Sequence, residues 1–293
     1  MQPTTDDLDV AAVAATYEAR VRLICAGELP APLLLRDRLA PERWTLEWRL
    51  PWWVGRSFGL DAALCLELSV SSVLGLAAIR LRDDVADGEL DGTVPAAATA
   101  WSEMLLDAAL ETYRPRLPSS SEFWPFVTSV LGPASPAAVG AELDGTDLAS
   151  RGAPLKVPAF AVCRLAGRSE AFPSLERCLD HALTALVLYD HAADWEADLD
   201  AGRPNAFTGP ATTRPEALVA LMSAGVVRPH FARIEAELAA AGTIAAELGI
   251  QPLAQHLRIL ADRFARDGLA LEDHYGHLGE RAAVLFFGAE GGH

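Results

Sequence analysis

Residues 67–91 read ELSVSSVLGLAAIRLRDDVADGELD. From Leu68 to Leu81 only Arg80 is charged, and the run is rich in Leu, Ala, Val and Ser. The wider stretch from Leu60 to Leu81 also holds Asp61 and Glu67, so it reads as a long buried helix and not as a membrane span. The helix runs into Asp83-Asp84-Val85-Ala86-Asp87. Asp83 and Asp87 are four residues apart, which puts both carboxylates on one helix face with Asp84 beside them.

The rest of the chain reads the same way. Ala, Leu, Glu and Arg dominate, all good helix formers. Alternating Val/Ile/Thr runs, the mark of strands, are almost missing. Pro and Gly clusters punctuate it at 29–32, 50–55, 87–95, 114–121, 131–136, 151–154 and 201–210. Helices are expected near 7–27, 56–84, 96–114, 136–149, 156–167, 174–200, 214–225, 230–248, 251–270 and 272–287. No long polar linker and no fixed-period repeat divides the chain. The expectation is one all-α domain over residues 1–293, a bundle of about ten helices around a central apolar cavity.

A second acidic segment, residues 183–207, reads LTALVLYDHAADWEADLDAGRPNAF. Asp190, Asp194 and Asp198 stand at i, i+4 and i+8, three carboxylates on one stripe. A solvated acidic helix end is the plain alternative for either cluster. Two physical facts weigh against it. Each cluster closes a strongly apolar helix, at the end where the macrodipole is already negative. Like charges at i,i+4 also repel. A bound cation would offset both. Clustered carboxylates with little His or Cys suit hard Mg²⁺ better than Zn²⁺. Mg²⁺ takes one or two protein carboxylates and bridges to substrate phosphate. Two such clusters facing one cavity would clamp a diphosphate through metal.

The pair resembles the two metal-binding motifs of the class I isoprenoid synthase superfamily, which holds trans-prenyltransferases, head-to-head synthases and class I terpene cyclases. Asp83, Asp84 and Asp87 match its DDxxD. Asp190, Asp194 and Asp198 fall on the ligand positions of its second motif, with His191 where prenyltransferases carry a second Asp. Gly202 and Asn205 match the GxxN that trails the motif in terpene cyclases. The likeness covers roughly residues 56–205. It implies an all-α synthase fold, three Mg²⁺ ions, an allylic prenyl diphosphate of farnesyl or geranylgeranyl size, and a carbocation sheltered from water in an apolar pocket. A homodimer is common in the superfamily.

Chain-elongating prenyltransferases carry a GGKRLRP-like segment before the DDxxD helix and Arg-Arg-Gly after it. Here Val54-Gly55-Arg56-Ser57-Phe58 and Gly88-Glu89-Leu90-Asp91-Gly92 stand in those places. One diphosphate substrate, hence a cyclase, is the favoured expectation. Prenyl transfer, either head-to-head or onto an acceptor other than isopentenyl diphosphate, stays open, because the three-aspartate ladder and the following Gly-Arg are closer to those enzymes. A non-catalytic partner subunit is a third reading.

Cations that could meet a diphosphate are Arg151, Lys156, Arg164 and Arg168 upstream of the ladder, and Arg203 beyond it, with Asn205 as a polar neighbour. Lys156 is the single lysine of the chain; a snorkelling surface lysine is its bland alternative. Asn205 is as readily a turn residue. Stepping back one turn at a time from Asp83 gives Ile79, Leu76, Gly75 and Ser72 as pocket candidates. Leu183 and Val187 point the same way above the ladder. Phe160 and Trp195, with Phe207, Trp52 and Trp53 behind them, offer aromatic faces to a cation. Plain core is the alternative for each.

Composition narrows the field further. Forty acidic against 24 basic residues give a net charge of −16. That disfavours nucleic acid, which needs a basic face, and docking on anionic lipid. The N-terminus shows no basic segment before an apolar run, so no signal peptide is expected. Four scattered cysteines without CxxC point to a reduced, cytoplasmic protein. His274 and His277 lack the ExxH partners of a di-iron bundle. There is no HExxH, GxSxG or P-loop.

Overall fold

A computed structural model describes residues 7–27, 30, 33, 45–86, 88, 90, 94–132, 148–223 and 225–287. Among them there are eleven α-helices and no strand. The chain forms two compact units, Met1–Gly132 with Pro154–Pro173, and Pro133–Ala153 with Ser174–His293.

The first unit holds α1 (Val10–Ile24), α2 (Thr45–Ser57), α3 (Ala62–Ala86), α4 (Val94–Glu111), α5 (Phe123–Leu131) and α6 (Lys156–Leu165). The long apolar segment ahead of Asp83 forms α3. It buries residues on several sides, from Cys65 through Leu68, Val73, Leu74 and Ala78 to Leu81, and packs against α1, α2, α4 and α6. A helix apolar nearly all round has to be enclosed in this way. Of the straight helices described, α3 is the one long and apolar enough to cross a membrane. Asp9 caps α1 by accepting from the Ala12 N–H, and Asp61 Oδ1 does the same for Leu64 at the start of α3.

Helix α2 departs from expectation, because Pro51 in LPWWVG reads as a breaker. Proline has no N–H for the carbonyl four residues back, here that of Glu47. The Ser72 hydroxyl on α3 donates to that carbonyl at 2.9 Å and fills the gap. Helix α5 is a second addition. Its Pro125 sits in the first turn, where no donor is needed. Rings from α4's end, α5, α6 and the chain beyond it make an aromatic core. Phe160 lies 4.4 Å from Phe172 and 4.8 Å from Phe126, and Phe123 lies 5.1 Å from Tyr113.

The second unit holds most of α7 (Phe172–Ala193), then α8 (Trp195–Asp200), α9 (Arg214–Met222), α10 (Val227–Glu247) and α11 (Gln251–Phe287). Helices α10 and α11 form an extensively packed hairpin. Its turn needs Gly249, whose φ is +77°. The two helices expected over 251–270 and 272–287 are one continuous helix, since no breaker separates them. The helix expected over 174–200 is interrupted at Asp194, where φ is −109°. Tyr189 stacks on Phe264 with centroids 3.8 Å apart and donates its hydroxyl to Asp267 at 2.8 Å, tying α7 to α11. The helix expected over 136–149 lies outside the described residues except at its end, where Leu148 opens a 3₁₀ segment reaching Leu155.

Candidate functional site

The first acidic motif closes α3. Asp83 is exposed and Asp84 half-buried at the helix end, while Asp87 lies outside the described residues. The neighbouring Arg82 donates from Nε to Ser102 Oγ at 3.0 Å, and Ser102 in turn donates to the Ala78 carbonyl at 2.8 Å. This chain of bonds straps the acidic end of α3 to α4.

A partly open cavity of about 60 Å³ lies in the first unit, between α3, α4, α5 and the segment leading into α6. Ser72, Gly75, Leu76 and Ile79, the four residues of the stripe behind Asp83, all line it. Leu106, Ala109, Leu110 and Tyr113 close the α4 side. At 1.5 Å per residue, Ile79 is about 6 Å along the axis from Asp83 and Ser71 about 18 Å. The small residues serve both the cavity and the close approach of α3 to its neighbours. A Cβ placed on Gly75 would meet only Ala109 Cβ, at 3.9 Å. The serine hydroxyls are committed to backbone carbonyls, Ser71 to Ala109 at 2.8 Å and Ser72 to Glu47, so they offer the cavity little polarity. Burial pushes the Tyr113 phenol up to about 12, so it stays neutral.

Pro154, Leu155, Val157 and Pro158 complete the wall. Lys156 stands between two of these residues, half-buried at the start of α6. Phe160, a pocket candidate, belongs to the aromatic core and is not among the lining residues. Arg164 pairs with Glu122 at 3.2 Å. Arg168 pairs with Glu170 at 2.8 Å and lies over the Phe58 ring at 4.9 Å. Glu47, which no sequence motif marks, is buried on α2. Loss of water raises its carboxyl to about 7 against the pull of Arg80.

The second motif lies in the second unit, at the junction of α7 and α8. The break at Asp194 leaves the i→i+4 pattern intact. The Asp194 N–H donates to the Asp190 carbonyl at 2.8 Å, and the Asp198 N–H to the Asp194 carbonyl at 2.9 Å. Asp190 and Asp194 are exposed, and Asp198 is half-buried. The following turn folds back on the motif. The Arg203 N–H donates to the Asp198 carbonyl at 2.8 Å, and its Nε lies 3.2 Å from Asp198 Oδ1. Asn205 Nδ2 donates to Asp198 Oδ2 at 2.8 Å and to the His191 carbonyl at 2.9 Å. The buried His191 ring accepts the Ala206 N–H at Nδ1, 3.2 Å away.

Three of the remaining candidates in this unit, Leu183, Trp195 and Phe207, are buried. Leu183 presses on Gly152, where an added Cβ would fall 2.3 Å from the leucine side chain. Trp195 is buried and donates its indole N–H to the Tyr275 hydroxyl at 3.1 Å. Val187 is half-buried on α7. Phe207 packs edge-on against His230 at 5.0 Å. Arg151 lies in the 3₁₀ segment.

Among the described residues no three His, Cys, Asp or Glu side chains converge into a ready metal site. The donors are nonetheless hard carboxylate oxygens, and Mg²⁺ commonly needs only one or two of them when phosphate supplies the rest. The chemistry of the donor set therefore fits Mg²⁺ held jointly with a diphosphate. The chain matches no protein-family model, no curated protein and no solved structure.

Proposed function

We propose that the chain is a Mg²⁺-dependent class I terpene synthase that ionises an allylic prenyl diphosphate and cyclises the resulting carbocation. The observation that carries this reading is the cavity behind Asp83. A carboxylate motif and an apolar hollow share one stripe of α3, so a polar head held at the motif has its hydrocarbon tail directed into the hollow. Bound Mg²⁺ would supply stabilisation of the charge developing on the departing diphosphate.

The chain's own residues do the rest in this reading. In the first unit Asp83, Asp84 and Asp87 offer ligand oxygens and Lys156 a cation for a diphosphate; in the second unit Asp190, Asp194 and Asp198 offer ligand oxygens and Arg203 a cation. Leu76, Ile79, Leu106 and Leu110 keep water from the cation, and the buried serine hydroxyls are too engaged with backbone to trap it. Prenyl transfer remains the second reading, favoured by the unbroken three-aspartate pattern of the second motif. In both readings the enzyme works in the cytoplasm, where its four free cysteines stay reduced.

The test is incubation of the pure protein with geranyl, farnesyl and geranylgeranyl diphosphates, with and without Mg²⁺, followed by extraction and mass spectrometry. A cyclic hydrocarbon or alcohol from one substrate alone is the expected result. A product that needs a second substrate shifts the reading to prenyl transfer. No turnover, even with isopentenyl diphosphate or an acceptor extract, overturns both.

A further inference from the structure

We infer that Asn205 is a positioning residue which fixes the Asp198 carboxylate and the angle between α7 and α8, and that it does not itself bind diphosphate. The inference rests on the reading of Asp190, Asp194 and Asp198 as a metal motif. From sequence alone Asn205 is a candidate for the diphosphate. In the structure its side chain is buried and fully spent. Of its two amide protons, one goes to the His191 carbonyl and the other to Asp198 Oδ2. Its Oδ1 accepts the Phe207 N–H at 2.9 Å and the Thr208 N–H at 3.4 Å. A carboxamide has two donors and two acceptor sites, so nothing remains for an anion.

What the amide does hold is the motif. Its two donors reach across the break at Asp194, one end on the last turn of α7 and the other on α8. A single planar group thereby sets the bend at Asp194 and, with it, the spacing of Asp190 and Asp198. The Ala206 N–H bond to His191 repeats the tie. The bond to Asp198 is charge-assisted and half-buried, so the carboxylate is held in one orientation. Asp198 Oδ1 faces Arg203, whose side chain is half exposed, and a surface pair of that kind is weak. A cation can displace Arg203 from Oδ1 while Asn205 keeps Oδ2 in place. Outer-shell partners of this sort typically govern metal affinity by 10–100-fold.

The test uses the full chain and Mn²⁺, an EPR-visible substitute for Mg²⁺, titrated in the presence of inorganic pyrophosphate at a temperature where circular dichroism shows every variant folded. Asn205→Ser keeps an acceptor for the Phe207 N–H and loses both long-range donors; Asn205→Ala is the second variant. Mn²⁺ affinity is expected to fall about 10–100-fold in either. In an Asp198→Asn background the same substitutions should change it by about twofold at most, because the partner through which they act is gone. Unchanged Mn²⁺ affinity in the folded variants overturns the inference. So does an equal loss in both backgrounds, which marks a general structural role. A wild-type protein that binds no Mn²⁺ with pyrophosphate instead overturns the metal reading itself, and the inference falls with it.

Discussion

Pro51 and Ser72 illustrate how far single residues decide this fold. Removing the Ser72 hydroxyl leaves the Glu47 carbonyl without a donor, and an unsatisfied buried group costs about 1–3 kcal/mol. Ser72→Ala should destabilise by that amount in urea unfolding. In a Pro51→Ala background, where the helix regains its own N–H, the cost should shrink markedly; equal costs in both backgrounds would refute the exchange. Glu47 itself makes stability depend on pH. Its carboxyl titrates near 7 when folded and near its ordinary 4.5 when unfolded. Between those values the folded state keeps a proton the unfolded state has lost, so stability falls as pH rises through the window and stays low above it. Two to three pKa units amount to about 3 kcal/mol. The advantage of Glu47→Gln over wild type should therefore grow by about that much from pH 4.5 to pH 8, read as the difference between two melting profiles. Buried His230 works the other way. Its pKa is lowered by burial, so it takes a proton only after the unfolded chain has, and it weakens the fold as pH drops below 6.5. Parallel profiles for wild type and Glu47→Gln would show that the Glu47 carboxyl is not held neutral.

At the scale of helices, packing tolerances give a sharp comparison on α11. A Cβ on Gly268 would fall 2.5 Å from the Phe231 ring of α10, whereas one on Gly276 meets nothing within 4 Å. Gly268→Ala should cost about 1–3 kcal/mol through overpacking, and Gly276→Ala should gain roughly 0.5–1 kcal/mol in helix propensity. Equal effects by urea unfolding would contradict the packing. Helix periodicity makes α3, its cavity-facing stripe and the aspartate spacing legible in the sequence, because all three depend on neighbours within four residues. Whether Phe160, Leu183 and Trp195 face a cavity or plain core is not decided by the sequence. The partners that claim them, Phe172, Gly152 and Tyr275, come from other elements, and periodicity cannot tell a residue facing a cavity from one facing another helix. Helix α2 is hidden for the same reason, since the hydroxyl that excuses Pro51 lies on α3. Helix α5 is readable in principle, as Pro125 falls in a first turn. Gly75→Leu carries the cavity reading to a test. The added side chain should fill the hollow, lower kcat/KM for the longest accepted diphosphate at least tenfold and leave the helical spectrum intact; unchanged kinetics would show that the hollow is not where the substrate lies.

Across the whole molecule, each compact unit carries its own core and one acidic motif, and the net charge of −16 bears on both. The excess is partly answered locally. Arg214 meets Asp200 at 2.8 Å and Glu196 at 3.4 Å, and Arg203 meets Asp198 at 3.2 Å. These pairs gather at the far end of the second motif, on α8, the turn beyond it and the first residue of α9. Asp194 lies between Asp190 and Asp198, four residues from each, and like charges at that helical spacing repel by roughly 0.2–0.5 kcal/mol a pair in metal-free buffer. Asp194→Asn should accordingly melt about 1–3 °C above wild type in EDTA at low salt, by the usual conversion for a chain of this size. The gap should close in 0.5 M NaCl, where the Debye length is only a few ångströms. Adding Mg²⁺ with pyrophosphate should reverse the order. Wild type gains stability by ligand linkage, while the variant, short of one carboxylate charge and one of its two oxygens, gains little and turns over no prenyl diphosphate. A variant that melts below wild type in EDTA would mean that Asp194 is held by attraction and not by tolerated repulsion. A wild type that ignores Mg²⁺ and pyrophosphate together would leave both acidic motifs as solvated helix ends.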